Sequence, residues 1–173
     1  MIELIESAKL TLNQLDSFLN HIQPSEYQQK LPLLSESTIG MHVRHIIEFY
    51  QCLIKGQLQG QINYDARERS LLQESNIEYA RDCIDNLRID IDMIQENKSI
   101  DLITEQNKIE SKFVIESNLY RELSYIIEHT IHHFAILKMA CIAYFPFIQF
   151  DADFGIAYST IKYRNRVYRH LSS

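Results

Sequence analysis

Glycine and proline are scarce in this chain, at four and three residues of 173. Their shortage excludes an architecture of many tight turns and favours long helices. Cysteine is also rare. Cys52, Cys83 and Cys141 are odd in number, widely spaced and set in apolar helical sequence, which argues against a disulfide framework or a CxxC metal site and for reduced core thiols of a cytosolic protein. A block of positive charge is missing too. The net charge is −6, and nucleic-acid binding, which rests on cationic contacts to phosphates, is disfavoured. The basic stretch IKYRNRVYRH near the C-terminus is the one local exception, read as a solvated terminal segment.

Long hydrophobic runs are absent as well. The longest, MACIAYFPFI, is broken by Pro146 and falls far short of a membrane span. The opening MIELIESAKL lacks a positive segment followed by an apolar one, so no signal peptide is expected and a cytoplasmic location is the default. No glycine-rich phosphate loop, G-x-S-x-G elbow or Cys/His nucleophile pair occurs, and EHTIHH is not HExxH, which removes the zincin proteases.

What remains is a chain with 46% hydrophobic and 23% charged residues, long enough for one domain over 1–173 with a substantial core. Ile2, Ile5, Leu10, Leu12, Leu15, Phe18, Leu19 and Ile22 recur at helical spacing up to Pro24, marking a first helix. A polar connection with Pro24 and Pro32 leads to Ser35 or Ser37 as N-cap of a second helix over 38–57, ended by Gly56 and Gly60. The segment QINYDARERS reads as a loop into a third helix over 71–96. Alternation of Ile100, Leu102, Ile109, Phe113 and Ile115 about a polar turn at 106–108 reads as a short β-hairpin or extended excursion. A fourth helix covers 118–144, followed by an aromatic, partly extended tail that packs back on the helices.

Five of the seven histidines fall in two of these helices, His42 and His45 in GMHVRHIIEF, and His129, His132 and His133 in IIEHTIHHFAI. At about 100° per residue, His133 and His129 lie roughly 60° and 100° from the centre of the fourth helix's apolar face. They form one stacked pair at i and i+4 at the edge of the core, while His132 points away. On the second helix His42 lies within the apolar face and His45 at its border, one turn before Phe49 and Cys52. A metal open to substrate belongs at such a border, which favours His45 over His42 as third ligand, although periodicity alone leaves both open. A lone core histidine is commonly just a hydrogen-bonded one. Several desolvated imidazoles together need partners or a cation, which makes an open divalent-metal site the stronger reading.

Around them, Glu48 can serve as an acceptor for a ligand, a general base, a fourth ligand or a solvated carboxylate. Glu122 shares the angle of His129 and His133, and Glu128 is less well placed. Arg44, Arg67 and Arg69 can receive an anionic substrate, the last two reading rather as a solvated charge run.

TIGMHVRHIIEF and EHTIHHFAI, in this helix order, resemble the DinB/YfiT-like family of bacterial four-helix-bundle metalloenzymes. There a histidine on the second helix and an H-x3-H pair on the last bundle helix hold a divalent ion. His42 and His132 are additional to that pattern. The resemblance implies an all-α, up-down-down-up four-helix bundle with an insertion before the last bundle helix. It implies His45, His129 and His133 as ligands of a divalent ion, which a histidine-rich site leaves open among zinc, nickel and iron; from their places beside the histidines, Glu48 and Glu122 are the candidate catalytic carboxylates and Arg44 the candidate binding residue. Characterised members include thiol-dependent S-transferases and isomerases, so a transferase using a low-molecular-weight thiol on small electrophiles is expected ahead of a metal-dependent hydrolase. A non-catalytic, stress-associated bundle is the third reading. A small-molecule substrate and a homodimer are expected partners, with no nucleic acid and no membrane.

Overall fold

A computed structural model describes residues 2–104 and 112–171. The first helix, α1 (Ile2–Leu19), buries Ile5, Ala8, Leu12, Leu15, Phe18 and Leu19, the spacing of one helical face. The polar connection is more ordered than expected. It holds a short helix α2 (Pro24–Gln28), begun by Pro24 and by a Glu26 carboxylate that accepts the Gln23 N–H at 2.8 Å, and a 3-10 turn at Pro32–Leu34. Thr38, rather than Ser35 or Ser37, caps α3 (Ile39–Gln59), its hydroxyl accepting the Met41 N–H at 3.0 Å.

The expected third helix is two helices. α4 (Leu71–Ser75) and α5 (Ile77–Asp92) are divided at Asn76, whose extended backbone frees its side chain to accept the Tyr79 N–H at 3.0 Å as the cap of α5. A local capping bond here outweighs continuation of the helix. The last long helix, α6 (Leu119–Tyr144), is capped by Asn118, which accepts the Arg121 N–H.

The chain is mostly helical but it is not all-α. Three strands, β1 (Gln61–Ile62), β2 (Ser99–Thr104) and β3 (Phe113–Asn118), form a sheet in the order β1-β2-β3. β2 and β3 make the expected antiparallel hairpin, from Ser99 opposite Asn118 to Thr104 opposite Phe113. Its turn at 106–108 lies outside the described residues. The unforeseen member is β1, which runs parallel to β2 with Gln61 opposite Asp101. Two residues give no periodic signal.

α3 packs on α5 and α6, and α1 packs on the same two helices from its own side. After α6 the tail returns to the core as expected. Phe145, Ile148 and Phe154 are buried, and Phe154 stacks on Phe134 with ring centroids 4.4 Å apart and lies 5.2 Å from Phe18. Beyond them the chain is not extended but forms α7 (Tyr158–Leu171).

Gly56 does not end α3 as expected; Gly60 does, in the left-handed conformation at φ 73°. Instead, two glycines inside α3 admit other backbone. A Cβ at Gly40 would lie 2.0 Å from the Glu74 carbonyl oxygen, and one at Gly56 would lie 2.7 Å from the Gln61 carbonyl oxygen. The segment 61–75 is therefore a strap held against α3 near both of its ends. Gly40→Ala and Gly56→Ala are each expected to destabilise the protein by about 1–3 kcal/mol through overpacking against main chain, read as lower midpoints in urea denaturation. Unchanged midpoints would show that the strap is not clamped in this way.

Candidate functional site

Side-by-side packing of α3 and α6 brings four histidines together. His45 Nε2 lies 2.9 Å from His129 Nε2, and His42 Nδ1 lies 3.0 Å from His133 Nδ1. His45, His129 and His133 each offer a ring nitrogen, and the three atoms all fall within 4.8 Å of one another. Two nitrogens bound to one ion at about 2.0–2.1 Å stand roughly 2.9–3.4 Å apart for bond angles between right-angled and tetrahedral. The His45 to His129 separation is at the short end of that range. The three residues lie close enough to hold a metal ion.

The donor set fits a cation in its chemistry as well. Only neutral imidazole has a lone pair to give. Burial holds the pKa of His45 down to about 3, helped by the positive charge of Arg67 and by His129, His42 and Arg44. Burial likewise puts His133 at about 3, with the neighbouring histidines adding to the effect. His129 and His42 are lowered for the same first reason, burial. All four thus stand neutral at physiological pH.

His42, which the helical wheel places in the core, is half-buried and spends its Nδ1 on His133. A ligating histidine commonly has its second ring nitrogen tied by a partner that fixes the ring, and His42 is placed to do this for His133. His132 is exposed, as its wheel angle implied, and so is Glu128.

Aromatic rings wall the site. Phe49 lies 4.6 Å from both His45 and His129, Tyr125 stacks on His129 at 5.6 Å, and Tyr64 stacks on Phe49 at 4.7 Å. Tyr125 keeps 40% of its surface exposed, so this wall faces solvent.

The carboxylates and arginines sit differently from the sequence reading. Glu48 occupies a polar wheel position, yet it is 4% exposed because the strap folds over that flank of α3. Its Oε1 accepts the Ser70 N–H at 2.8 Å, and its Oε2 lies 3.6 Å from Arg67 Nε and 3.9 Å from Arg44 Nε. It does not join the three-histidine group. Glu122 is fully buried and accepts hydrogen bonds from Tyr64 (2.9 Å), Ser117 (2.6 Å) and Arg121 (2.8 Å). Its bonds therefore anchor Tyr64, the ring behind Phe49. Arg44 pairs with Glu74 of α4.

Arg67 is the residue the sequence reading undervalued. Its side chain is only 15% exposed, its guanidinium lies 4.8 Å above the Phe49 ring, and it donates to the Tyr64 carbonyl. The cation–π contact and the Glu48 charge together hold it beside the histidines. No signal in a non-periodic loop distinguishes it from Arg69, which is exposed.

Compared with known proteins, the chain matches no family model, no curated protein and no solved structure. Among the described residues no helix is long and apolar enough to cross a membrane.

The lowered histidine pKa values have a consequence for stability. Below about pH 6.5 the unfolded chain binds protons on His45 and His133, while the folded chain resists them down to about 3. The unfolded state then carries more protons, so stability rises with pH across this window and is lost as pH falls through it. Metal-free protein is expected to melt at progressively lower temperature between about pH 7 and 4, and the His45→Ala/His133→Ala double variant to show a flatter profile. Parallel profiles would mean that these imidazoles are not held neutral by the fold.

Proposed function

We propose that this chain is a divalent-metal-dependent enzyme in which His45, His129 and His133 hold the ion. The observation that carries the reading is the convergence of three half-buried, neutral imidazoles from two helices within 4.8 Å, with no carboxylate joining them among the described residues. Three protein ligands with open positions are the pattern of catalytic rather than structural sites. In this reading α1, α3, α5 and α6 are the four helices of an up-down-down-up bundle of the DinB/YfiT-like type. Their mutual packing supports it.

An ion held by neutral ligands keeps its full charge, and when bound it would polarise a substrate and lower the pKa of a ligated water or thiol. The chain's own residues favour an anionic partner. Arg67 and Arg44 place guanidinium groups next to His45, their charge partly offset by Glu48 and Glu74, while Phe49 and Tyr125 offer apolar surface to the body of a small electrophile. That combination suits transfer of a low-molecular-weight thiol ahead of hydrolysis. Glu48 acts here as a positioning residue through the two arginines, and Glu122 does so through Tyr64. We further infer a cytoplasmic homodimer. Free Cys52, Cys83 and Cys141 are in keeping with a reducing compartment, and exposed Phe147, Tyr158 and Tyr163 offer apolar surface for a partner copy.

Elemental analysis of untagged protein tests the metal. Near-stoichiometric zinc, nickel or iron is expected in the wild type and none in His45→Ala or His133→Ala. His42→Ala should retain the ion with affinity reduced about 10–100-fold, the usual cost of losing a residue that orients a ligand. Thiol-transfer and hydrolase screens on the loaded protein then identify the reaction. Wild-type protein that is metal-free and cannot be reloaded would overturn the reading and leave the histidines as a packed polar cluster.

A further inference from the structure

The last strand of the sheet has an open edge. Among the described residues no strand pairs with β3 on the side away from β2, and Phe113, Val114 and Ile115 are 45%, 65% and 47% exposed. Its main chain faces that edge in a definite pattern. The Leu119 N–H donates to the Lys98 carbonyl at 2.9 Å, and on the opposite side of β2 the Asp101 N–H donates to the Gly60 carbonyl at 3.0 Å. Bonded and non-bonded pairs alternate along an antiparallel ladder, so Phe113, Ile115 and Ser117 are bonded to β2, while the N–H and C=O groups of Val114 and Glu116 point to the open edge. Such an edge is a template for another strand. β3 has neither a proline nor a bulge to blunt it, since its residues pair with β2 in unbroken register from Phe113 to Asn118.

The sequence of the edge selects what that strand is. When a second β3 runs antiparallel across a two-fold axis at Val114, Val114 faces itself, Phe113 faces the partner's Ile115 and Lys112 faces the partner's Glu116. Apolar side chains then meet apolar ones and the basic one meets an acidic one, the pairs that stabilise neighbouring strands. The hydrogen-bond phase fits as well, because Val114 presents its N–H and C=O to the same groups of its copy. Sliding by two residues keeps that phase but sets Val114 against the partner's Glu116 and Phe113 against the partner's Ser117, and the match is lost. Within one copy Asp101 lies directly opposite Glu116, both of them exposed. Like charges so placed repel, and the register at Val114 brings a lysine to them.

A surface complementary to itself is what a two-fold contact requires. We propose that β3 pairs edge to edge with β3 of a second copy, in the register centred on Val114, so that the two sheets become one continuous sheet across the dimer. The proposal rests on the homodimer reading above and names its contact, a different set of residues from the exposed Phe147, Tyr158 and Tyr163. It requires no ion at the histidines.

The test is sedimentation velocity of the untagged, full-length protein over a range of concentrations in reducing buffer. The wild type is expected to dimerise, and Val114→Pro to raise the dissociation constant about 10–100-fold, because each copy loses one N–H that faces the edge. That N–H does not bond to β2, so the hairpin within one copy keeps its ladder. Should Val114→Pro fail to fold, Ile115→Lys, at an exposed position, should weaken the dimer to a similar degree. The register is read by mild oxidation in a Cys52→Ser background, where the other cysteines are buried. Val114→Cys should give a disulfide-linked dimer, its two Cα atoms facing each other at about 5.5 Å, and Ile115→Cys should not, being offset from its own copy by two residues. Monomeric wild type would overturn both the contact and the homodimer reading. A dimer left intact by both Val114→Pro and Ile115→Lys, as one held by the tail and broken by Tyr158→Glu/Tyr163→Glu would be, would overturn the β3 contact while the homodimer stands. Cross-linking of Ile115→Cys and not of Val114→Cys would overturn the register.

Discussion

The carboxylate of Glu48 is the group on which the site depends. A charge 4% exposed on a helix is tolerated only when its lone pairs are met and a counter-charge stands close, because desolvation costs several kcal/mol per ion. Here the Ser70 N–H and the guanidinium groups of Arg44 and Arg67 meet that need. Only one of these three lies on α3 with it. The other two come from the strap, so satisfying Glu48 and folding the strap onto α3 are the same event. Gly40 and Gly56 make it sterically feasible, since a side chain at either would strike the strap's own backbone. Arg67 beside the histidines and a cavity of about 590 Å3 beneath the strap follow from this one buried charge.

The parts of the molecule that sequence reasoning reached are those governed by a period. His129 and His133 lie four residues apart on a 26-residue helix, so their angle to the apolar face is arithmetic. His45 lies at the border of a second such face, and helices that bury neighbouring faces bring their borders together. The β2 to β3 hairpin was legible for the same reason, with a period of two. What stayed hidden is aperiodic. β1 has two residues, the break at Asn76 depends on a side-chain cap competing with a helical pattern, and α7 follows an aromatic stretch that reads as extended. Burial of Glu48 was hidden because the wheel describes one helix alone. A polar flank becomes interior when a distant loop covers it.

A site that gathers neutral imidazoles and also keeps arginines near looks contradictory for a cation. The contradiction eases when the charges are taken together. Arg44 is spent on Glu74 and shares Glu48 with Arg67, so the local sum of two guanidinium groups and two carboxylates is near zero. The positive charge of Arg67 still lowers the basicity of His45 and His129. That weakens competition from protons at these nitrogens. A proton and a metal ion contend for the same lone pair, and the repulsion from Arg67 acts on both.

The position of Arg67 between two places gives them a common term. It stands within electrostatic reach of His45 and His129 on one side and lines the cavity on the other. The Glu48 carboxylate, 3.6 Å from Arg67 Nε, offsets part of the charge with which Arg67 opposes a cation at the histidines. The size of that interaction depends on the medium, and the Phe49 ring lies against both sides, 4.8 Å from the guanidinium and 4.6 Å from the His45 and His129 rings. Charges separated by a ring rather than by solvent interact at a lower effective dielectric than they would at the surface. The aromatic wall thus does more than shape a pocket, because it sets how strongly the Arg67 charge is felt at the histidines.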